Sequence, residues 1–310
     1  MNTYVRPLRG GLISQARVLA APMAVEVSVI MVVFRTGPAL AESVDKVLTD
    51  PGVDEFIIID NGSTPSEEAV LNAAAERDER VVLKRGHGNV GFARACNMGA
   101  ELAQGRVLVI LNPDAFLQDE CIDGLLSALA ATPAPRIVGA RIMNTDGTEQ
   151  RGARRGEVTP VTTLLSLTRL SHLGIFKGFE IHHEHDPEPG QLLKVPTISG
   201  ACFAMTHDDY SAMGGFDEGF FLHVEDVDLC WRVRQSGGQV VFNPAARVVH
   251  LGSTSHTSPV KVEFFKGLGL VRYFRKRADN KRRAALAIGL APMIMLVSIL
   301  RPLFRRRRHG

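Results

Sequence analysis

The chain has little cysteine and almost no tryptophan, with four cysteines and one tryptophan in 310 residues. The cysteines, Cys96, Cys121, Cys202 and Cys230, are widely scattered and form no C-x-x-C pair. This spacing excludes a zinc site built from cysteine pairs and a disulfide framework. We therefore expect reduced thiols in a cytosolic protein.

The N-terminal region lacks an uninterrupted apolar segment. Residues 1–24 begin like a signal peptide, but Gln15 and Arg17 break the apolar stretch that a secretory signal requires. The sequence therefore predicts an N-terminal tail over residues 1–25 rather than an export signal. No internal repeat or low-complexity tract is found in the chain.

Acidic residues are almost absent from the C-terminal end. From Arg272 onward there are twelve basic residues and one acid, a net charge of +11, whereas the rest of the chain has a net charge of −8. Residues 284–300 carry no charge and separate two basic clusters. As a helix they would span ~25 Å, which is short against a hydrocarbon core of ~30 Å.

This composition predicts that residues 272–310 form a tail that binds an anionic membrane surface. Basic side chains next to anionic lipid each add about 1 kcal/mol, and the apolar insert favours lipid over nucleic acid as the partner. The short insert favours peripheral binding or shallow embedding over a full span. We place the protein at the cytoplasmic face of the plasma membrane.

Apolar runs of strand length alternate with helical patterns after residue 26. The predicted strands lie at 27–34, 55–60, 80–84, 106–111 and 136–142. The segments between them carry apolar residues at three- and four-residue spacing, which is the period of a helix. The alternation predicts an α/β fold whose central sheet is mainly parallel and covered by helices.

Carboxylates and hydroxyls lie where these predicted strands end. Asp60 ends one strand and is followed by Asn61 and Ser63, which places it where a carboxylate can accept hydrogen bonds from a base or ribose. The alternative is a simple turn. Asp114 follows the apolar run at 106–111, where it could bind a divalent cation, Mg²⁺ or Mn²⁺, under the phosphates of a nucleotide-sugar. The alternative for Asp114 is a helix cap.

A glycine-rich segment permits a second interpretation. Residues 86–91, "GHGNVG", match the dinucleotide-binding pattern, so an NAD(P)-dependent oxidoreductase is an alternative. The segment follows the third predicted strand rather than the first, which weakens that alternative. Under the nucleotide-sugar hypothesis, Asn89, Gly91 and Asn97 bind the donor.

An ordered set of motifs carries a resemblance to a known family. It comprises "SVIMVVF", "IIIDNGST", "GNVGFARACNMG", "LVILNPDAFL", "ISGACFAMT", "GGFDEGFFLHVEDVDLCWRVRQSGG" and "VVHLGSTS". Over about residues 26–255 the chain resembles the family 2 inverting glycosyltransferases of the GT-A fold, within their rhamnosyltransferase-like branch. The resemblance implies a GT-A domain over 26–271, divided into a nucleotide-sugar-binding half, 26–145, and an acceptor-binding half, 146–271.

The resemblance also implies roles for individual residues. "NPD" stands at the position of the family's D-x-D metal motif, although Asn112 replaces the first aspartate and is then a donor-binding residue. His250 would complete the metal site, or be a structural histidine at a strand end. In "ED", Asp226 would be the catalytic base and Glu225 would orient the acceptor.

Acceptor contacts are assigned to Gly200, Asp217 and Trp231. Because Trp231 lies among Leu229 and Val233 of a predicted helix, a core position is its alternative.

The predicted function is metal-dependent, inverting transfer of a sugar from a nucleotide-sugar. The resemblance suggests rhamnose from dTDP-rhamnose, and a glycan or polyprenyl-linked saccharide acceptor in cell-surface polysaccharide synthesis. A non-catalytic nucleotide-sugar or lipid-binding protein is the alternative outside the enzymes.

Overall fold

The computed structural model describes residues 25–168, 181–186, 188–252, 254 and 257–304. The strands are β1 (Val27–Val33), β2 (Glu55–Asp60), β3 (Val81–Lys84), β4 (Val107–Leu111), β5 (Ala115–Leu117), β6 (Arg136–Met143), β7 (Arg154–Arg155), β8 (Leu193–Lys194), β9 (Thr197–Ile198), β10 (Cys202–Thr206) and β11 (Gln239–His250). The helices are α1 (Ala39–Thr49), α2 (Pro65–Arg77), α3 (Phe92–Leu102), α4 (Cys121–Ala131), α5 (Pro160–Leu167), α6 (His207–Ala212), α7 (Glu225–Gln235), α8 (Pro259–Lys276) and α9 (Lys281–Phe304).

Within the described ranges, nine strands form one mixed sheet. Eight of them follow the order β3-β2-β1-β4-β10-β6-β11-β5, and β8 pairs with β11. The strands β3, β2, β1 and β4 are parallel, but β10 enters antiparallel between β4 and β6. The prediction of a mainly parallel sheet therefore holds for the first half of the chain, while the sheet as a whole is mixed.

The central strands β1 and β4 are apolar, apart from Ser28 of β1, because both of their faces are covered. All seven residues of β1 are buried, as are all five of β4. Helix α1 packs with Leu40, Val44 and Val47 buried, which is the three- and four-residue spacing of one helix face. Each such side chain stabilises the fold by about 1.5 to 3 kcal/mol. All five strands predicted between residues 27 and 142 are confirmed.

The segment between residues 152 and 196 follows β6 and precedes β9 along the chain. Its described part contains the short strand β7, helix α5 and the short strand β8. β7 pairs with β9 as a separate two-stranded sheet, so this segment is connected to the residues just before β10. Residues 169–180 and 187 lie outside the described part.

Helix α8 runs through the predicted tail boundary at residue 272. Tyr273 and Phe274 of α8 are buried in a second apolar cluster, together with Phe220 and with Ala287 and Ile294 of α9. The body of the protein therefore includes the first residues of the predicted tail, because their aromatic side chains belong to its core. The N-terminal tail up to residue 24 and the basic residues 305–308 lie outside the described residues.

Helix α9 is the described helix that is long and apolar enough to cross a membrane. The stretch Lys281–Pro302 has 22 residues, and an 18-residue window within it has a mean hydropathy of 2.0 and is 17% buried. Its buried residues Ala287, Ile294 and Ser298 lie on one stripe that faces α8 and the body. At Gly267 of α8 an added Cβ would be 3.2 Å from Ser298 Cβ, so the two helices are in close contact there.

Candidate active site

The carboxyl ends of β2, β1 and β4 form the edge of the sheet at which the candidate site lies. Asp60 ends β2 beside Val33 of β1, and Asp114 follows the end of β4 by three residues. At ~4.8 Å between neighbouring strands, the ends of β2 and β4 are about 10 Å apart. Ligands of open α/β sheets bind at this edge. Asp60, at the end of β2, and Asp114, just beyond the end of β4, both lie there.

Asp60 was predicted either to bind a base or ribose or to form a simple turn, and its two carboxylate oxygens have different surroundings. Its Oδ1 accepts hydrogen bonds from the backbone N–H groups of Gly62 at 3.0 Å and Ser63 at 2.9 Å. Its Oδ2 lies 4.0 Å from Arg85 Nε, and the residue is 6% exposed. One oxygen therefore holds the turn while the other faces the cleft.

Two hydroxyl groups near these strand ends lack a protein partner. The Oγ1 of Thr36, just after β1, and the Oγ of Ser63, just after β2, are buried without a hydrogen bond. A buried hydroxyl without a partner costs free energy unless a ligand or water satisfies it. Thr36 was not singled out by its sequence, whereas Ser63 was.

Asp114 and His250 meet because the antiparallel pairing of β11 with β5 places His250 opposite Ala115. His250 Nε2 lies 3.1 Å from Asp114 Oδ1, and Thr254 Oγ1 donates to Asp114 Oδ2 at 2.9 Å. Burial acts to raise the pKa of Asp114, but the hydrogen bonds from His250 and Thr254 and the charge of His250 outweigh it. The pKa of Asp114 is consequently below its ordinary value.

Gln150 orients the imidazole of His250. The Gln150 amide N–H₂ donates to the His250 carbonyl oxygen at 2.9 Å, which directs Gln150 Oε1 toward His250 Nδ1 at 2.7 Å. Nδ1 therefore carries a proton, and Nε2 faces Asp114. A second group that fixes the tautomer in this way is typical of histidines that bind metals. A divalent cation in place of a proton on Nε2 would have one nitrogen and one oxygen ligand here.

Two ligands alone do not form a complete cation site. Over the described residues, no group of three or more His, Cys, Asp or Glu side chains converges as one. Asn112, which stands where the resemblance implies a first carboxylate, has its Nδ2 3.3 Å from His250 Nε2. A cation bound by Asp114 and His250 would need substrate oxygens and water for its remaining ligands.

Asn61, Asn89 and Gly91 form the opposite wall of the cleft. Asn61 Nδ2 donates to the Gly91 carbonyl at 3.2 Å, and Asn89 Oδ1 accepts from Gly91 N–H at 3.0 Å. Gly91 has φ +87°, and a Cβ there would be 2.7 Å from the carbonyl oxygen of Phe221. Glycine is required at position 91 because the loop that contains Phe221 lies directly against its backbone.

The glycine-rich pattern does not form a dinucleotide-binding turn. It follows β3, which is at the edge of the sheet, rather than a strand at the point where the sheet order reverses. Added Cβ atoms at Gly86 and Gly88 would meet nothing within 4 Å. The segment instead connects two loops of the site.

Asn97 has no hydrogen-bonding capacity left for a donor. Its Oδ1 accepts from the Tyr210 hydroxyl at 2.7 Å and from Phe216 N–H at 2.9 Å. Its Nδ2 donates to the Phe216 carbonyl at 2.9 Å and to Glu218 Oε1 at 3.2 Å. Asn97 therefore anchors the loop that leads to the "ED" motif, and the geometry does not support a direct donor contact.

Asp226 lies in the first turn of α7. Its Oδ2 accepts from the backbone N–H of Gly200 at 3.1 Å and is ion-paired with Arg155 of β7. Arg155 also donates to the Ile198 carbonyl at 2.9 Å. Gly200 is thus a backbone neighbour of the carboxylate, and an added Cβ would lie 3.2 Å from Asp226 Cβ.

Glu225 is buried beside Asp226. Burial raises the pKa of Glu225, the negative charge of Asp226 raises it further, and the pKa reaches about 8. Its Oε2 has no hydrogen-bond partner in the protein. Glu225 therefore keeps its proton to a higher pH than an ordinary glutamate does.

The backbone of Gly200 and Ala201 lies between the two acidic centres. Gly200 N–H donates to Asp226, and the Ala201 carbonyl accepts from Asn112 N–H at 2.9 Å. The Asn112 side chain in turn approaches His250. The candidate base and the Asp114 and His250 pair are therefore on opposite sides of one short segment before β10.

Asp217 and Trp231 face α8 instead of a cleft. Asp217 is bound by Arg272 and by Lys276, each at 2.8 Å. Burial acts to raise its pKa, but Lys276 and Arg272 lower it to about 2. Trp231 lies edge-on to Tyr273, with ring centroids 6.3 Å apart. The geometry does not support acceptor contacts by either residue, and Trp231 takes the core position that was its alternative.

Helix α8 supports a strained loop before the "ED" motif. His223 and Val224 both have positive φ, +67° and +75°, which is rare for residues other than glycine. At Gly269 of α8 an added Cβ would be 3.0 Å from the His223 carbonyl oxygen, and Phe265 stacks on Phe221 at 4.5 Å. The packing of α8 therefore maintains the conformation that presents Glu225 and Asp226.

Comparison with known proteins agrees with this geometry. The model of the family described as "Glycosyl transferase family 2" matches residues 28–209, which is more than half of the chain. The N-acetylglucosaminyl-diphospho-decaprenol L-rhamnosyltransferase of Mycobacterium tuberculosis is 27% identical over 238 residues, 72% of this chain and 75% of that protein. The low-salt glycan biosynthesis hexosyltransferase Agl10 of Haloferax volcanii is 29% identical over 59% of this chain and 54% of that protein.

Solved structures share the fold. GalNAc-T7 with UDP, GalNAc and Mn²⁺ superposes with a TM-score of 0.63 at 18% identity, over 89% of this chain and 52% of that one. The mannosyltransferase PcManGT from Pyrobaculum calidifontis, in complex with GDP-Man and Mn²⁺, has a TM-score of 0.57 at 15% identity over 92% of this chain and 76% of that one. The family match excludes the oxidoreductase alternative. The chain belongs to glycosyl transferase family 2 and is a nucleotide-sugar glycosyltransferase of the GT-A fold.

Proposed function

We propose that this enzyme transfers rhamnose from dTDP-rhamnose, with inversion, to a glycan or polyprenyl-linked acceptor in cell-surface polysaccharide synthesis. The relative from M. tuberculosis, by its name, transfers L-rhamnose to a sugar on a diphospho-decaprenol. The observation that carries the proposal is the placement of Asp226 across the Gly200 and Ala201 backbone from Asp114 and His250. This arrangement supports a base and a diphosphate site that flank one reacting centre.

On the donor side, Asp60 and Ser63 bind the nucleoside. Asp60 Oδ2 is a hydrogen-bond acceptor for ribose hydroxyls or a base N–H, and the unpartnered Ser63 hydroxyl is available to the same ligand. The wall built from Asn61, Asn89 and Gly91 closes the cleft on its other side.

On the acceptor side, the carboxylate of Asp226 takes the proton of the attacking hydroxyl. Inverting transfer needs one base on the face opposite the leaving diphosphate, and a positioned carboxylate typically contributes 10²- to 10⁴-fold. Arg155 and Gly200 N–H hold the carboxylate in place. Glu225, whose pKa is raised by burial and by the charge of Asp226, lies beside Asp226 and orients the acceptor.

Asp114 and His250 would hold a divalent cation, Mg²⁺ or Mn²⁺. When bound, the cation neutralises charge on the leaving diphosphate. The set fits this role because His250 has its Nδ1 proton held by Gln150 and presents Nε2 beside a carboxylate of lowered pKa. The Mn²⁺ in the two similar solved structures supports the same choice of ion.

A panel of nucleotide-sugars tests the donor assignment. Binding to the full chain is measured by calorimetry with Mn²⁺ and with a chelator, followed by transfer assays with the donors that bind. We expect dTDP-rhamnose to bind best, and only with the metal. Preference for a UDP-hexose would refute the sugar, and equal binding with the chelator would refute the metal. Binding without turnover on any acceptor would favour the non-catalytic alternative.

We further propose that α8 and α9 bind the cytoplasmic membrane surface as a hairpin that lies in the interface. Eight of the eleven exposed large hydrophobic side chains among the described residues lie on these two helices: Val260, Phe264, Leu268, Leu286, Ile288, Met293, Leu296 and Leu300. Arg301 of α9 pairs with Glu263 of α8 at 3.5 Å, which fixes the antiparallel arrangement. A concentrated apolar surface beside basic residues is suited to anionic lipid.

Two substitutions test the membrane surface without unfolding it. Ile288 and Leu296 are 60% and 58% exposed, so glutamate at both positions should leave the core intact. We expect Ile288→Glu with Leu296→Glu to release the protein from phosphatidylglycerol vesicles in a sedimentation assay. Leu192→Glu, at a 37% exposed position on the body, is the matched control and should sediment like the parent. Full sedimentation of the double variant would contradict the assignment.

A further inference from the structure

A cavity separate from the donor cleft lies between α5, the end of α8 and the start of α9. Its volume is about 200 Å³. Val161, Phe274 and Leu286 give it apolar walls, and the guanidinium groups of Arg277 and Arg283 line it as well. Phe274 is buried, whereas Val161 is 44% exposed and Leu286 is 45% exposed. The cavity is therefore apolar inside and open to the surface.

The charges around this cavity favour an anion. Arg277 pairs with Glu157 and donates to the Val158 carbonyl at 2.7 Å. Glu157 is shared with Arg234, at 2.9 Å, so one carboxylate faces two guanidinium groups and a positive charge remains. Among the described residues, Arg283 pairs with Asp279, which lies two residues before α9, and both side chains are at least 60% exposed. An exposed pair of this kind is weak and can be exchanged for a ligand phosphate.

The cavity lies between the candidate base and the membrane-facing hairpin. Arg155, the partner of Asp226, precedes the cavity residue Thr159 by four residues, which span at most ~14 Å. On its other side, Leu286 belongs to the exposed apolar surface of α9. A molecule held in the cavity therefore reaches toward Asp226 at one end and toward lipid at the other.

We propose that this cavity binds the carrier lipid of the acceptor, with the first isoprenoid segment against Val161, Phe274 and Leu286 and the diphosphate at Arg277 and Arg283. The inference rests on the proposed function, since it assumes a polyprenyl-linked acceptor. A volume of about 200 Å³ is below the ~300 Å³ at which pockets begin to enclose a whole drug-sized ligand. It suits one segment of a single chain and leaves the rest of the lipid in the membrane.

Adjacent arginines of α9 provide a matched pair of variants. Arg282 and Arg283 carry the same charge on the same turn, but Arg283 lines the cavity and Arg282 does not. We would measure the binding of geranylgeranyl diphosphate to the full chain in phosphatidylcholine nanodiscs. We expect Arg283→Gln to weaken binding ~10-fold, the effect of losing one charge-assisted hydrogen bond. Arg282→Gln should change it by less than about twofold.

A cavity-filling variant and two competing ligands distinguish this site from a general lipid surface. Leu286→Trp, which fills the cavity, should weaken the binding of geranylgeranyl diphosphate as Arg283→Gln does. Inorganic diphosphate should bind to the parent much more weakly than geranylgeranyl diphosphate does. Equal losses from Arg282→Gln and Arg283→Gln, or displacement by phosphatidylglycerol at equal concentration, would overturn the site in favour of a general lipid surface.

The binding assay contains no nucleotide-sugar, so its outcome does not depend on whether the proposed donor is correct. Binding that depends on Arg283 in an enzyme that does not use dTDP-rhamnose would support the site and refute only the sugar. Transfer to a polyprenyl-linked acceptor whose KM is unchanged in Arg283→Gln would refute the site and leave the proposed function standing.

Discussion

Glu225→Gln should stabilise the folded enzyme increasingly as the pH rises. In the folded protein the pKa of Glu225 is about 8, against an ordinary value of 4.5, because the side chain is buried and Asp226 is adjacent. Below pH 4.5 both the folded and the unfolded chain are protonated at this position, so the residue costs nothing. Between pH 4.5 and 8 the unfolded chain loses the proton and the folded chain keeps it, so stability falls as the pH rises.

The size of the effect follows from the two pKa values. At ~1.36 kcal/mol per pH unit, a rise from 4.5 to about 8 gives an upper bound of about 5 kcal/mol at pH 8. Glutamine has the same shape and no proton to lose, so it escapes this cost. The difference in unfolding free energy between Glu225→Gln and the parent should therefore be small at pH 4.5 and grow to a few kcal/mol at pH 8.

Urea unfolding at pH 4.5, 6, 7 and 8 at constant ionic strength measures this difference. Glu55→Gln is the matched control, because Glu55 is equally buried but accepts hydrogen bonds from Ser28 Oγ at 2.5 Å and Gln104 N–H at 2.9 Å. That variant should lose about 1 kcal/mol and show no gain at high pH. A Glu225→Gln curve parallel to the parent across the whole range would refute the reasoning.

Three further variants test the site. Asp226→Asn should bind donor normally and lose transfer by roughly 10²- to 10⁴-fold, and NMR of the parent's product should show an inverted anomeric centre; a retained configuration would contradict the mechanism. Asp114→Ala should abolish the metal dependence of donor binding in calorimetry, and unchanged dependence would refute its role. Gly91→Ala should lower the Tm more than Gly88→Ala, because both have positive φ but only Gly91 lies against Phe221; equal effects would mean that this contact does not constrain the loop.

The fold of the first half could be predicted from the sequence because its signals are local. Continuous apolar runs predict strands that are covered on both faces, and the helices between them carry their own periodicity. The same local signals placed Asp60 at the end of a strand and Asp114 just after one. The antiparallel direction of β10 could not be predicted from such signals, because the direction of a strand depends on the connection that leads to it rather than on its own residues.

Assigning side chains to the donor or the acceptor from sequence was less secure. Asn97 and Asp217 are polar residues in a motif-rich region, and the sequence predicted ligand contacts for both. In the structure, Asn97 holds the loop at Phe216, and Asp217 holds helix α8. A polar residue that binds the protein's own loops has the same local pattern as one that binds a substrate.

The sequence by itself determined the strands and helices, the positions of the acidic residues on them and the apolar and basic character of the C-terminal end. Only the tertiary structure decided which partners these residues have. Gln150 meets His250 across 100 residues and Arg155 meets Asp226 across 71. The pKa of Glu225 likewise depends on burial that its neighbours in sequence do not reveal. Periodicity is written over a few residues, whereas a partner, a charge state or a cavity between three helices exists only after distant segments have packed together.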